Sequence, residues 1–257
     1  MTGDRIGWDS ARMDLDIAPI GDRTELFQEL DGGWPVFMSK DPTGGLYYRH
    51  MDRLWPEFSM LAVDRDTGRA VAKAHSVPFA YDGDIADGLP EGGWDWVIRT
   101  ATHDHLGGVK PTMISALEIN IRSDLRGSGL SSVMLKAMRD NAARHGFTDL
   151  VAPVRPSGKP AHIQEPIDVY AHATRSDGLP VDPWLRVHVR AGASIVNVAH
   201  YSMTYAGTLA EWRSWTGLPF DRTGPVEVPG ALNPIHCDVT QNHAVYVEPN
   251  VWVHHRI

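Results

Sequence analysis

The residues with the most chemical content in this chain run Ile119-Asn120-Ile121-Arg122-Ser123-Asp124-Leu125-Arg126-Gly127-Ser128-Gly129-Leu130-Ser131, from a strand pattern into a helix pattern. A P-loop ends in Gly-Lys-Ser/Thr, which is absent here. A nucleophile elbow has glycine two residues either side of its serine, but Arg126 stands two before Ser128. A dinucleotide fingerprint wants a third glycine where Ser132 stands. What the stretch does offer is a run of main-chain N–H groups at a helix start, with glycines that allow close approach and a helix dipole that favours an anion. A pyrophosphate fits such a place; a plain strand-to-helix turn fits it too.

The flanking patterns say what holds the loop. Residues 113–121 place Leu117, Ile119 and Ile121 on one face of a strand and Ala116, Glu118 and Asn120 on the other. Residues 130–145 carry Leu130, Val133, Met134, Ala137 and Met138 at helical spacing and stop at His145-Gly146. A short apolar run at 149–154 follows, so strand, loop, helix and strand make one βαβ unit with a right-handed crossover. Upstream, 13–20 reads as a strand, 24–30 and 46–55 as short helices, and 58–63 with 69–79 as a hairpin around Asp64-Arg65-Asp66-Thr67-Gly68. Downstream, Asp182-Pro183 caps a helix through Arg190, 194–206 and 243–254 alternate as closing strands, and 209–215 reads as a short helix. Segment 82–111, with a short helix near 94–101, and the Pro-rich segment 155–180 read as excursions from this frame.

Composition narrows the class. The chain has 257 residues, 42% hydrophobic and 22% charged, which suits a folded core and excludes collagen, coiled coil and disorder. Neither a membrane-length apolar run nor a signal peptide is read, the first ten residues being too polar, so a cytoplasmic protein is expected. Cys237 is the only cysteine, which leaves no intrachain disulfide and no cysteine-built zinc site. A formal charge of −8 makes nucleic acid an unlikely main partner, and a membrane is not expected to be one.

Arg126-x-x-Gly129-x-Ser131, after an apolar-x-apolar strand end and before an amphipathic helix, resembles the acyl-CoA loop of the GNAT (Gcn5-related N-acetyltransferase) superfamily, with Ser131 where the family usually has Gly or Ala. The element order is similar to that family's core. The resemblance implies an α/β fold: a mixed central sheet flanked by helices, one domain over 1–257 with insertions at 82–111, 155–180 and 207–242. It implies that Ile119 and Ile121 present backbone groups to the pantetheine arm of acetyl-CoA or another acyl-CoA. The N–H groups of Arg126, Gly127, Ser128, Gly129, Leu130 and Ser131 would hold the pyrophosphate, with the thioester between strands 113–121 and 149–154, which splay apart in this family.

The family's Tyr, four residues before a helix-ending Gly, corresponds to His188 before Gly192, and an imidazolium there would protonate the leaving thiolate. Glu118, the only carboxylate in its strand, is the candidate general base; the competing reading pairs it with Arg122. No metal is expected: His103-Asp104-His105 and His236-Cys237-Asp238 lack the His-x-x-x-His spacing. The tryptophans Trp94, Trp96, Trp184, Trp212, Trp215 and Trp252 are expected in the core.

The expected activity is acyl-CoA-dependent N-acylation, acetyl in the simplest case, of a small-molecule primary amine by direct attack through a tetrahedral intermediate. One alternative takes the acyl group from an acyl-carrier protein or an aminoacyl-tRNA received on a short basic patch around Arg155, Lys159 and the glycine loop. Another is a non-catalytic CoA-binding module. The excursions 82–111 and 155–180 are expected to frame the acceptor pocket, and a homodimer stays open.

Overall fold

Alternating and continuous apolar runs come together in a single sheet. The structure, a computed structural model, describes residues 13–30 and 33–257; the polar opening segment lies outside the described residues. The strands are β1 (Leu15–Pro19), β2 (Ser59–Asp64), β3 (Ala70–Phe79), β4 (Met113–Ile121), β5 (Asp149–Val154), β6 (Ser194–Thr208), β7 (Gly224–Val226), β8 (Ile235–Asp238) and β9 (His243–Arg256). The helices are α1 (Thr24–Gln28), α2 (Pro42–Leu46), α3 (Met51–Leu54), α4 (Gly93–Gly107), α5 (Leu130–Arg144), α6 (Ile167–His172), α7 (Pro183–Arg190) and α8 (Leu209–Thr216).

Along the sheet the order is β1-β2-β3-β4-β5-β9-β8-β7, with β6 paired to β9. β4 and β5 are parallel and the other pairs antiparallel, which makes the mixed α/β sheet that the sequence led us to expect. Residues 243–245 of β9 pair with both β6 and β8, and residues 251, 253 and 254 with both β6 and β5. β8 and β5 therefore share one edge of β9, with 246–250 between them.

Every residue of β3 is buried, because helices α4 and α5 both pack on it. In α5 the buried residues Leu130, Met134, Leu135, Met138 and Ala142 make the apolar stripe, and Gly146 ends the helix at φ 85°. Asp182 caps α7 by accepting the N–H groups of Trp184 (2.8 Å) and Leu185 (2.9 Å), with Pro183 at the first helical position.

Several elements depart from expectation. α4 runs on past residue 101 to Gly107, carrying His103-Asp104-His105 on a helix; His103 packs edge-on to Tyr47, His105 to Trp55, and the Asp104 carboxylate accepts Ala80 N–H at 2.7 Å. The polar triplet looked like loop because its partners lie far away in sequence. The 155–180 segment contains α6, and β7 and β8 form within 207–242. Trp212 and Trp252 are fully buried and Trp94 nearly so, while Trp96, Trp184 and Trp215 pack at the edge of the core. No helix among the described residues is long and apolar enough to cross a membrane.

Candidate functional site

The site begins where two strands part. β4 and β5 pair only at Ile114↔Leu150 and Ser115↔Val151, although β4 continues to Ile121 and β5 to Val154. The cause lies on the other edge of β4. Its register with β3 jumps from Ser76↔Ala116 to His75↔Glu118, so Leu117 is an extra residue and the strand bends there. The displaced Leu117 carbonyl accepts the Trp94 indole N–H at 3.3 Å. Ile119 and Ile121, beyond the bulge, lie on the splayed part of β4 and are half-buried.

The chain then turns through Ser123–Leu125, pinned by the buried Leu125, into the glycine loop. Gly127 (φ 83°) and Gly129 (φ 88°) take the left-handed conformation that side chains resist. This turns successive N–H groups outward: those of Gly127, Gly129, Leu130 and Ser131 have no acceptor among the described residues, whereas Arg126 N–H reaches Ser123 O at 3.5 Å and Ser128 N–H reaches Leu125 O at 3.3 Å. A Cβ on Gly127 would meet nothing within 4 Å, so the space beside the loop is open. The Arg126 side chain is exposed and passes so close to Gly33 that a Cβ there would stand 2.8 Å from a guanidinium nitrogen. Four unpaired donors, one arginine and the start of a fifteen-residue helix suit an anion such as a pyrophosphate.

Glu118 stands at the bulge, between loop and cleft. Its carboxylate does not pair with Arg122, which binds Asp124 at 2.7 Å instead. One oxygen accepts the Trp34 indole N–H at 3.2 Å and the other accepts the Tyr48 hydroxyl in a short hydrogen bond. The Tyr48 ring leans on Trp94 (centroids 5.1 Å apart) and on His75 (5.3 Å). Burial first, and then the neighbouring Lys73 ammonium, push His75 down to about 3, so this ring is neutral near pH 7. Nothing in the local sequence pattern marks Trp34 or Tyr48, which reach Glu118 from 84 and 70 residues away.

Beneath this corner lies a buried polar layer. Asp41 caps α2 through Thr43 and Gly44 N–H, and Asp95 of α4 is beside it; burial first and the Asp41 charge second push Asp95 up to about 8. On β9, Glu248 is fully buried, bound to Arg155 at 2.9 Å and to the Tyr246 hydroxyl at 2.8 Å. Arg155 and Lys159 therefore form no surface patch. Lys159 is fully buried, its ammonium donating to the carbonyls of His162 and Leu232, both at 2.8 Å. Two lone cations in a Pro-rich segment look solvent-facing in sequence, and only the tertiary partners reveal otherwise. His200 in β6 binds Glu91 (2.8 Å) and Asp168 (3.1 Å), so the excursions 82–111 and 155–180 meet at one side chain.

His188 also needs correcting. It is on α7 as expected, but its ring is buried, packed edge-on to Trp184 and 3.0 Å from His255 Nε2. Burial chiefly, with His255 adding to it, pushes it down to about 3; His255 is likewise held down, at about 4. A ring that is neutral near pH 7 keeps a single N–H and is a far weaker acid than the imidazolium that the donor role calls for. Folding stability should then fall as pH drops below about 6.5, because the unfolded chain takes up protons these rings refuse, at roughly 1.4 kcal/mol per pH unit for each whole proton. We expect His188→Phe to flatten the acid side of a melting-temperature profile while leaving kcat near neutral pH within a few-fold. A hundredfold loss of kcat at unchanged acyl-CoA affinity would restore the donor role.

Comparison with known proteins agrees with this fold. No family model matches the chain. The arginine N-acetyltransferase avaD of Aspergillus versicolor is 32% identical over 250 residues, covering 87% of this chain and 85% of that protein. Among solved structures, the loading GNATL domain of CurA from Lyngbya majuscula superposes with a TM-score of 0.55 at 18% identity over 95% of this chain and 96% of that one. The GphF GNAT-like decarboxylase in complex with isobutyryl-CoA does so at 0.51 and 15% identity, over 94% and 98%. These two share the fold, and the identity to avaD over most of both sequences shows more than fold: this chain belongs to the GNAT superfamily and is a GNAT-type acyltransferase.

Proposed function

We propose that the chain transfers an acyl group, acetyl in the simplest case, from CoA to the primary amine of a small cationic molecule related to arginine. The observation that carries this reading is that the N–H groups of Gly127, Gly129, Leu130 and Ser131, without acceptors among the described residues, and the carboxylate of Glu118 stand at either end of one splayed stretch of β4. Acyl-CoA is here a substrate. Its pyrophosphate lies on the loop from Arg126 through Gly127, Ser128, Gly129, Leu130 and Ser131, its pantetheine arm runs along the backbone of Ile119 and Ile121, and its thioester enters the gap between β4 and β5.

Glu118 then takes a proton from the acceptor ammonium, directly or through water. The amine nitrogen attacks the thioester carbonyl and the C–N bond forms; the tetrahedral intermediate loses the extra proton on nitrogen to solvent and collapses with cleavage of the C–S bond. The departing CoA thiolate is protonated from solvent, since the buried, neutral His188 ring is not the imidazolium a donor would need. The name of the avaD relative supports an arginine-like acceptor, and the isobutyryl-CoA bound to GphF supports a CoA donor. The segment around Trp34 and Tyr48, with the two excursions joined at His200, frames the acceptor side. Delivery by a carrier protein or tRNA is left with Arg126 of the loop, because Arg155 and Lys159 are internal.

Incubation with acetyl-CoA and a panel of amines, read by free thiol and by product mass, tests this. Thiol and N-acetylated product should appear in equal amounts, fastest with amines that also carry a guanidinium. Tight CoA binding with no thiol release from any amine would leave a binding module instead.

A further inference from the structure

Glu118 is gripped from one side by a single segment of chain. Trp34 Nε1–H donates to Oε1 at 3.2 Å and the Tyr48 hydroxyl donates to Oε2. Glutamate has three side-chain torsions to fix, and one donor on each oxygen fixes the carboxylate plane as well as its position. The donors are themselves held. Tyr48 sits against Trp94 and against His75, whose Nδ1 lies 3.1 Å from Ser59 Oγ, and Trp94 donates its indole N–H to the carbonyl of Leu117, the residue before Glu118. The contacts thus close a ring from Glu118 through Tyr48 and Trp94 back to the bulge that bends β4.

We propose that Tyr48, assisted by Trp34, is the positioning residue of the reaction, aiming the Glu118 carboxylate at the acceptor amine. The inference rests on the proposal that Glu118 is the base. Each carboxylate oxygen has two lone-pair directions, and one on each is taken by the brace. The second direction on each oxygen is the one an acceptor ammonium would use. A proton transfer works only within hydrogen-bond reach, so a carboxylate free to rotate would spend much of its time unproductive. Trp34 is 43% exposed, so its bond to Glu118 is open to solvent and it is the weaker of the two donors.

A double-mutant cycle tests this, with kcat and the acyl-CoA dissociation constant measured for the wild type, Tyr48→Phe, Glu118→Gln and the double variant. Phe keeps the ring that packs on Trp94 and His75, so the fold is retained, and an unchanged CoA-induced thermal shift verifies that. Tyr48→Phe should lower kcat by about 10- to 100-fold with acyl-CoA affinity unchanged, the range expected when a charge-assisted hydrogen bond is lost. In the Glu118→Gln background the same change should do nothing more. Trp34→Phe should act in the same direction and less strongly.

An equal loss in both backgrounds, or none in either, overturns the positioning role, since a purely structural contribution would not depend on the Glu118 carboxylate. The two failures are distinguishable. If Glu118→Gln itself keeps the wild-type rate, the base assignment falls and the positioning role with it. If Glu118→Gln is slow and Tyr48→Phe is fast, the brace alone is refuted.

Discussion

Glu118→Gln is expected to lower kcat by about 10²- to 10⁴-fold, the usual contribution of a positioned acid or base, with acyl-CoA binding unchanged. The amide is nearly isosteric. It can still accept from Trp34 or from Tyr48 through its carbonyl oxygen, so the fold around the bulge should survive while the proton acceptor is lost. A purely structural Glu118 would show the opposite pattern: a drop in melting temperature and little change in rate. Steady-state kinetics on the folded variant, with free thiol as the readout, separates the two. A variant with near-normal kcat across pH 6 to 9 would remove Glu118 from the chemistry.

The second large effect is expected at the loop. Ser131→Glu places a carboxylate in the first turn of α5, where the helix dipole tolerates an anion well, so the protein should remain folded and could gain slightly in stability. The same charge stands where the pyrophosphate must lie. Acyl-CoA should stabilise the wild type by about 2.7 kcal/mol at a hundredfold excess over its dissociation constant, by mass action, and this thermal shift should vanish in the variant. A substitution at Gly127 or Gly129 would be less clean, because both glycines have positive φ and any side chain there is strained. Retention of the full shift in Ser131→Glu would put the CoA elsewhere.

What could be read from the sequence follows the range of the forces involved. Leu130, Met134 and Met138 recur at helical spacing, and Gly127 and Gly129 precede them; pattern and turn lie within twenty residues, and the loop, α5 and β4 all come out near their places. The cap at Asp182 is equally local. Leu117 as a bulge was not legible, because an extra residue shows only when the partner strand's register is known. Trp34 and Tyr48 belong to short helical turns and coil whose local pattern gives no hint of Glu118. His188 shows how far a register argument goes. The helix and its end at Gly192 were right, yet the face that the side chain uses was decided by His255, 67 residues further on. Arg155 and Lys159 were misplaced for the same reason: nothing nearby in the chain announces Glu248 or the carbonyl cage at Leu232.

The most direct test is a crystal structure with CoA bound. Its pyrophosphate oxygens should lie within hydrogen-bond distance of the N–H groups of Gly127, Gly129, Leu130 and Ser131, and its thiol should sit in the gap between β4 and β5 on the side of Glu118. CoA found instead outside the glycine loop, for instance in the open cavity of about 490 Å³ bordered by Asp84, Asp149 and Arg256, would contradict the placement of the acyl-transfer site.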